Sequence, residues 1–149
     1  MAARVLPEHL IQAGAKLLAA LDDAGLQPQG AAWLFDHALG DWRYVVATSL
    51  VETMGRSKVY RELLTVIKKL DVPQDLTVQD VHLVAPSGPL FKTISGALHI
   101  ANGRVTVKDS AINGTTVDAV IYRWTGVPTQ TKAAKVQREF KRRVKELAD

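Results

Sequence analysis

The chain has 149 residues, of which 47% are hydrophobic and 23% charged, values typical of a single folded domain and not of a disordered chain. It contains no cysteine, which excludes disulfides, thiol nucleophiles and cysteine-ligated metal sites. No apolar run approaches the roughly 20 residues that a membrane span requires, and the first residues lack the apolar centre of a secretory signal. We therefore predict a cytoplasmic protein.

The first predicted element is a helix over residues 8–24. Pro7 suits the first turn of a helix, where its missing N–H is not needed, and Gly25 is placed to end the helix. Leucines recur at helical spacing around Gly14 and form one apolar stripe: Leu10, Leu17, Leu18 and Leu21.

Residues 31–70 hold the most concentrated apolar sequence. Two β-like runs, residues 31–36 and 42–48, flank a short turn, and a helix pattern follows over residues 56–70. The second run is apolar on both faces, which favours a strand covered on both sides. We expect this stretch to nucleate the core. The apolar face of its helix comprises Val59, Leu63, Val66, Ile67 and Leu70.

The second half of the chain continues with strands and helices in alternation. A short apolar strand over residues 81–85 precedes a helix that Ser87 or Gly88 can cap, with Pro89 in an early position. Asn113-Gly114 then joins two β-like runs as a two-residue hairpin turn. A last helix covers residues 130–148. Strand–helix–strand order predicts some parallel pairing.

These elements predict an α+β (mixed α/β) fold in the order α-β-β-α-β-α-β-β-α, with a five-stranded mixed sheet packed by helices. Residues 1–129 form the predicted single domain, and residues 130–149 form a basic amphipathic C-terminal helix that either docks on the domain or extends from it. The predicted core anchors are Trp33, Phe35, Tyr44, Val46, Leu63, Ile67, Leu83, Ile94, Val120 and Tyr122.

Several segments in the middle of the chain form a recognisable set, namely residues 42–51, 80–84, 112–114 and 119–123, with a helix containing Tyr60. In these segments the chain resembles a group of small bacterial proteins without an assigned activity, over about residues 33–123. The resemblance implies a shared fold and a bacterial source. Its motifs are mainly core and turn residues, so it implies no catalytic residue.

Asp36, His37 and Asp41 surround the first predicted hairpin turn. Two carboxylates and an imidazole could bind a divalent metal ion or serve as an acid–base site, but Asp and Gly are also the ordinary residues of a polar turn, which we favour.

A metal-dependent nuclease needs several acids and a lysine at one point. Lys108 and Asp109 are adjacent, so a regular strand would point them to opposite faces. The remaining acidic candidates are Glu52 and Asp118.

The four histidines show no metal-ligand spacing, and His82 fits a partly buried structural position in an apolar strand. The Pro86–Pro89 turn before a helix could receive a phosphate, but it lacks the glycine-rich phosphate motifs, and ordinary helix capping explains it better. We predict no catalytic residue, no metal ligand and no cofactor.

The net charge of +4 lies in the last eighteen residues, which hold seven basic and three acidic side chains, whereas the rest of the chain is balanced at twelve of each. The last helix combines this charge with an apolar stripe of Ala133, Val136, Phe140, Val144 and Leu147. We predict a non-catalytic interaction protein that binds a protein partner or nucleic acid through this helix; the alternative is a metal-dependent hydrolase or nuclease. The predicted binding residues are Lys135, Arg138, Lys141, Arg142, Arg143 and Lys145.

Overall fold

A mixed sheet with helices on both faces forms the body of the protein. The computed structural model describes residues 5–69, 76, 80–101, 103–112, 115–125 and 130–148. The strands lie in the order β3-β2-β1-β5-β4. They are β1 (Gly30–Asp36), β2 (Asp41–Ala47), β3 (Val81–Val84), β4 (Val105–Ile112) and β5 (Thr115–Trp124). The helices are α1 (Glu8–Asp23), α2 (Leu50–Thr53), α3 (Arg56–Lys68), α4 (Pro89–Ser95) and α5 (Gln130–Ala148).

The α+β class is confirmed, and the predicted order differs from the observed one in two details. The short helix α2 lies between β2 and α3, where the predicted order has no element. An isolated antiparallel bridge between Ile100 and Trp124 adds a further extended segment beside β5, so a five-stranded description is incomplete.

Strand pairing follows the predicted hairpins. β1 pairs antiparallel with both β2 and β5, and β4 pairs antiparallel with β5. β2 and β3 pair in parallel, as the strand–helix–strand order predicted. The predicted Asn113-Gly114 turn lies outside the described residues, but Ile112 and Thr115 on either side of it are paired in register.

The larger core lies on the sheet face that α1, α3 and α5 cover. Alternation along the strands directs Trp33, Tyr44 and Tyr122 to this face, where they meet the helix stripes. The buried helix residues include Leu17, Leu21, Val59, Leu63, Val136, Phe140 and Val144.

A second, smaller core lies on the opposite face of the sheet. There α4 places Phe91 and Ile94 against the strands, and the ring of Phe91 stacks on that of Trp124 with centroids 5.1 Å apart. The Trp124 indole N–H also donates to the Phe91 carbonyl oxygen at 3.2 Å. This pairing was not predicted.

Of the ten predicted core anchors, eight are buried, and Phe35 and Ile67 are only partly buried. Leu70, which was predicted for the apolar face of α3, lies outside the described residues.

Three aromatic side chains of the sheet hold α1 through its backbone, in what we call the polar seam. Trp33 Nε1 donates to the Leu10 carbonyl oxygen at 3.1 Å, and the Tyr44 hydroxyl donates to that of Gly14 at 2.8 Å. The Tyr122 hydroxyl donates to the Ile11 carbonyl oxygen. Gly14 permits this approach, because a Cβ there would lie 2.6 Å from the Tyr122 hydroxyl oxygen.

The outer edge of β3 is closed by one side chain of α3. The Tyr60 hydroxyl donates to the Val81 carbonyl oxygen at 2.7 Å and accepts from the Leu83 N–H at 3.3 Å. Both backbone groups point away from β2, because alternate residues of a strand face the same side. The hydroxyl therefore forms hydrogen bonds with two backbone groups that would otherwise be available to pair with another strand.

Candidate interaction surface on the C-terminal helix

The inner face of α5 is part of the larger core. Val136, Phe140 and Val144 recur every four residues, which places them on one side of a helix, and Phe140 is fully buried. Leu147, predicted for the same stripe, is 38% exposed, and the side chain of Ala133 lies outside the described residues. In this structure the helix is docked.

Two of the six predicted binding residues are held by groups of the protein itself. Arg142 forms ion pairs with Glu139 at 2.9 Å and Glu146 at 2.8 Å, and Arg143 lies 3.3 Å from Glu139. The hydrogen bond and charge of Arg142 lower the pKa of the Glu139 carboxyl. Arg143 also donates to the Asp23 carbonyl oxygen at 2.8 Å, so it caps the C-terminal end of α1.

The other four predicted residues form an exposed basic stripe, defined as Lys135, Arg138, Lys141 and Lys145. Steps of three, three and four residues place them along one side of α5, opposite the buried stripe, over about 15 Å at 1.5 Å per residue. None of the four has an ion pair with another residue that the structure describes. Their charges are directed to solvent.

A groove of about 430 Å³ lies where the C-terminal turns of α1, α3 and α5 come together. Ala20 of α1, Val66 of α3 and Leu147 of α5 contribute apolar surface to it. Lys69, which follows α3, lines the same groove as Arg142 and Arg143. The C-terminal ends of α3 and α5 thus bring three basic residues to one groove, which Asp23 and Glu146 also line.

The carboxylates of the first hairpin are engaged locally. Asp36 Oδ1 accepts from the N–H groups of Ala38 at 3.0 Å and Leu39 at 3.1 Å, and its other oxygen lies 3.7 Å from Arg43 Nε. Asp41 Oδ1 accepts from the Trp42 N–H at 2.8 Å. These contacts shape the turn.

His37 turns away from the two hairpin carboxylates toward β5. Its Nε2 lies 3.2 Å from Oδ2 of Asp118, a carboxylate that is only 6% exposed, and its ring packs edge-on against Phe35. Glu52, another nuclease candidate, lies at the opposite end of β2, where it accepts a hydrogen bond from the Ser87 hydroxyl. Within the described residues, no three His, Asp or Glu side chains form a group that could hold a metal ion.

His82 is exposed, so its prediction as a partly buried residue was wrong. It occupies the alternate position between buried Val81 and buried Leu83 on β3, on the same side as Val84, which is buried in the smaller core. Partial desolvation and the nearby charges of Arg43 and Arg56 lower its pKa.

Of the two predicted capping residues, Gly88 is the N-cap of α4, and Pro89 is the first helical residue. Ser87 does not cap the helix, because its hydroxyl is directed to Glu52. This turn therefore serves the start of α4, as the sequence suggested.

Comparison of the chain with protein-family models, with curated proteins and with solved structures found no match. Among the described helices, none is both long and apolar enough to cross a membrane.

Proposed function

We propose that this chain is a non-catalytic binding protein whose contact surface is the exposed basic stripe of α5 and whose ligand is a nucleic acid. The observation that carries the proposal is the division of α5 into two faces. The inner face is buried in the core, while Lys135, Arg138, Lys141 and Lys145 are exposed without acidic neighbours in ion-pair contact among the described residues.

The chemistry of the stripe favours phosphates over a protein groove. Protein interfaces depend on a desolvated centre with apolar or aromatic anchors, and the basic stripe contains none. A phosphate backbone needs only cations on flexible side chains, because binding is driven by the release of condensed counterions. The sequence is also compatible with an acidic protein partner, so polyglutamate is tested beside the duplex.

The alternative of a metal-dependent hydrolase or nuclease receives no support from the hairpin. Asp36 and Asp41 accept hydrogen bonds from neighbouring backbone groups, and His37 lies against Asp118. A bacterial source and a cytoplasmic location remain predictions from the sequence.

Charge reversal on the stripe tests the proposal. The variant Lys141→Glu/Lys145→Glu should bind a short fluorescent duplex at least tenfold more weakly at low salt. The slope of log affinity against log salt should fall by about 1.8, since each neutralised phosphate contributes about 0.9. Arg142 and Arg143 stay unchanged because Arg142 forms ion pairs within α5 and Arg143 caps α1.

The matched control is Lys92→Glu/Lys108→Glu, which changes the net charge equally at two exposed lysines of α4 and β4. It should retain most of the affinity. Equal losses in both variants would mean a general effect of net charge and would overturn the proposal. Binding to polyglutamate but not to the duplex would assign the stripe to an acidic protein instead.

A further inference from the structure

The geometry points to α3 as a second half of the same surface, and we infer that the ligand is a double-stranded nucleic acid held by both helices. This inference rests on the proposed function of α5 and adds to it a ligand class and a second set of contact residues. Its basis is the charge of two basic helices that are far apart in the sequence and adjacent in the fold.

The two helices concentrate far more charge than the chain carries as a whole. Residues 56–69, which include α3, hold five basic side chains and one acidic side chain, and α5 holds seven basic and two acidic. Together they amount to +9, against +4 for the whole chain, so the remaining residues sum to −5. The fold thus separates a basic pair of helices from an acidic remainder.

Because α3 and α5 are in contact, their basic residues lie close to one another. Both helices contribute buried residues to one core, and Lys69 lines the same groove as Arg142 and Arg143. Packed helix axes lie about 8–10 Å apart. Since Val59, Leu63 and Val66 are buried, the opposite side of α3 faces outward, and it carries the exposed residues Lys58, Arg61, Lys68 and Lys69.

The two helices carry basic stripes of equal length. Lys58, Arg61 and Lys68 extend over ten residues of α3, about 15 Å, the same length as the basic stripe of α5. Two such stripes on adjacent helices, carried on long side chains, can meet phosphates on both sides of a groove, since packed helix axes lie about 8–10 Å apart and the major groove of B-DNA is about 12 Å wide.

Within the described residues, neither α3 nor α5 offers a stacking platform, which favours a duplex over a single strand. Proteins that bind single strands place exposed aromatic rings under the bases. Phe140 of α5 is buried in the core, and Tyr60 of α3 is partly buried, with its hydroxyl bonded to β3. Contacts with phosphates alone carry no sequence information, so binding is expected to be independent of sequence.

An anionic membrane is the competing ligand for a basic surface, and the burial pattern disfavours it. Helices that lie in a membrane interface insert an apolar face. Here Val136, Phe140 and Val144 are committed to the core, and Leu147 is the one large hydrophobic side chain on the described part of α3 or α5 that is substantially exposed. Insertion would require α5 to leave the domain.

The test combines charge reversal on each helix with a choice of ligands. Arg61→Glu/Lys68→Glu on α3 should weaken duplex binding about as much as Lys141→Glu/Lys145→Glu on α5, and each should reduce the salt slope by about 1.8. The wild-type protein should bind the duplex at least tenfold more tightly than either of its separated strands, and should bind vesicles containing phosphatidylserine more weakly than the duplex. Circular dichroism and thermal melting check that each variant is folded, and Arg61→Gln/Lys68→Gln replaces the α3 variant if reversal disturbs the helix.

Each contrary result has its own meaning. If the α5 variant loses binding and the α3 variants do not, the inference about α3 is wrong while the proposed function survives. If single strands bind as tightly as the duplex, or vesicles bind more tightly, the ligand class is wrong. If neither helix matters, the proposed function fails as well.

Discussion

The helices α1 and α5 cover the same face of the sheet but are attached to it differently. α1 is held by the polar seam, in which three sheet aromatics donate to its backbone, whereas the contact of α5 with the core consists of apolar side chains. Their outward chemistry also differs, because α1 has one basic and three acidic side chains and α5 has seven basic and two acidic. The main chain of α1 is therefore bonded to the sheet, whereas α5 is attached to the core by apolar side chains and to α1 by the Arg143 hydrogen bond.

The largest loss of stability is expected from a substitution that weakens the attachment of α5 to the core. Phe140→Ala removes a fully buried ring, so we expect a loss of about 3–5 kcal/mol in the free energy of unfolding, measured by urea denaturation. The neighbouring control Lys141→Ala, on the exposed side, should change stability by less than about 0.5 kcal/mol. A loss below about 1 kcal/mol for Phe140→Ala would mean that α5 contributes little to the core in solution.

An intermediate effect is expected at the polar seam. Gly14→Ala places a methyl group against the Tyr122 hydroxyl and the indole nitrogen of Trp33, 2.6 and 2.7 Å away, so overpacking should cost about 1–3 kcal/mol. Adding Tyr122→Phe removes one of these obstacles, and the double variant should therefore lose less than the sum of the two single losses.

Gly96→Ala is the matched control for the seam, because a Cβ there meets its neighbours at 3.6 Å, an ordinary contact. Its effect should be small. Similar losses at Gly14 and Gly96 would show that α1 is not held as closely as the seam requires.

The smallest effect concerns alkaline pH. Burial raises the pKa of Tyr44 and of Tyr122 in the folded protein. Their contribution to stability is therefore complete below the unfolded pKa of about 10 and is lost as pH rises above it, by up to about 1.4 kcal/mol per pH unit for each tyrosine. Urea denaturation of Tyr44→Phe across this range should give a shallower decline than the wild-type protein. An unchanged slope would exclude Tyr44 as a source of the alkaline sensitivity.

Local patterns in the sequence predicted most of the fold. Apolar periodicity located α1, α3 and α5, and the observed bounds of α5 coincide with the predicted ones. Strand alternation placed Trp33, Tyr44 and Tyr122 in the core, because period-two patterning is a property of each strand alone. Two positions were predicted to be more buried than they are: Ile67 lies at the edge of the larger core, and Phe35 is partly buried beside His37 and Trp42.

Features that depend on distant parts of the chain could not be predicted in this way. The exposure of His82 depends on which layer covers its side of β3, and the stacking of Phe91 on Trp124 joins residues far apart in sequence. The same limit applies to the candidate surface. A balance of charges counted along the chain treated the first 131 residues as neutral, but folding places α3 beside α5, and basic residues outnumber acidic ones on both helices. Charge counted by helix, before any balance is taken, would have identified α3.

The hydroxyl of Tyr60 has a consequence for how copies of this chain can associate. By occupying the outward groups of Val81 and Leu83, it closes the sheet at β3, whereas β4 pairs with β5 on one side only in the described part of the chain. A sheet that can be extended at a single edge cannot propagate as a fibril through strand addition, because the first pairing of two β4 strands would leave two closed edges outside. We therefore expect any edge-to-edge association of this chain to stop at a pair.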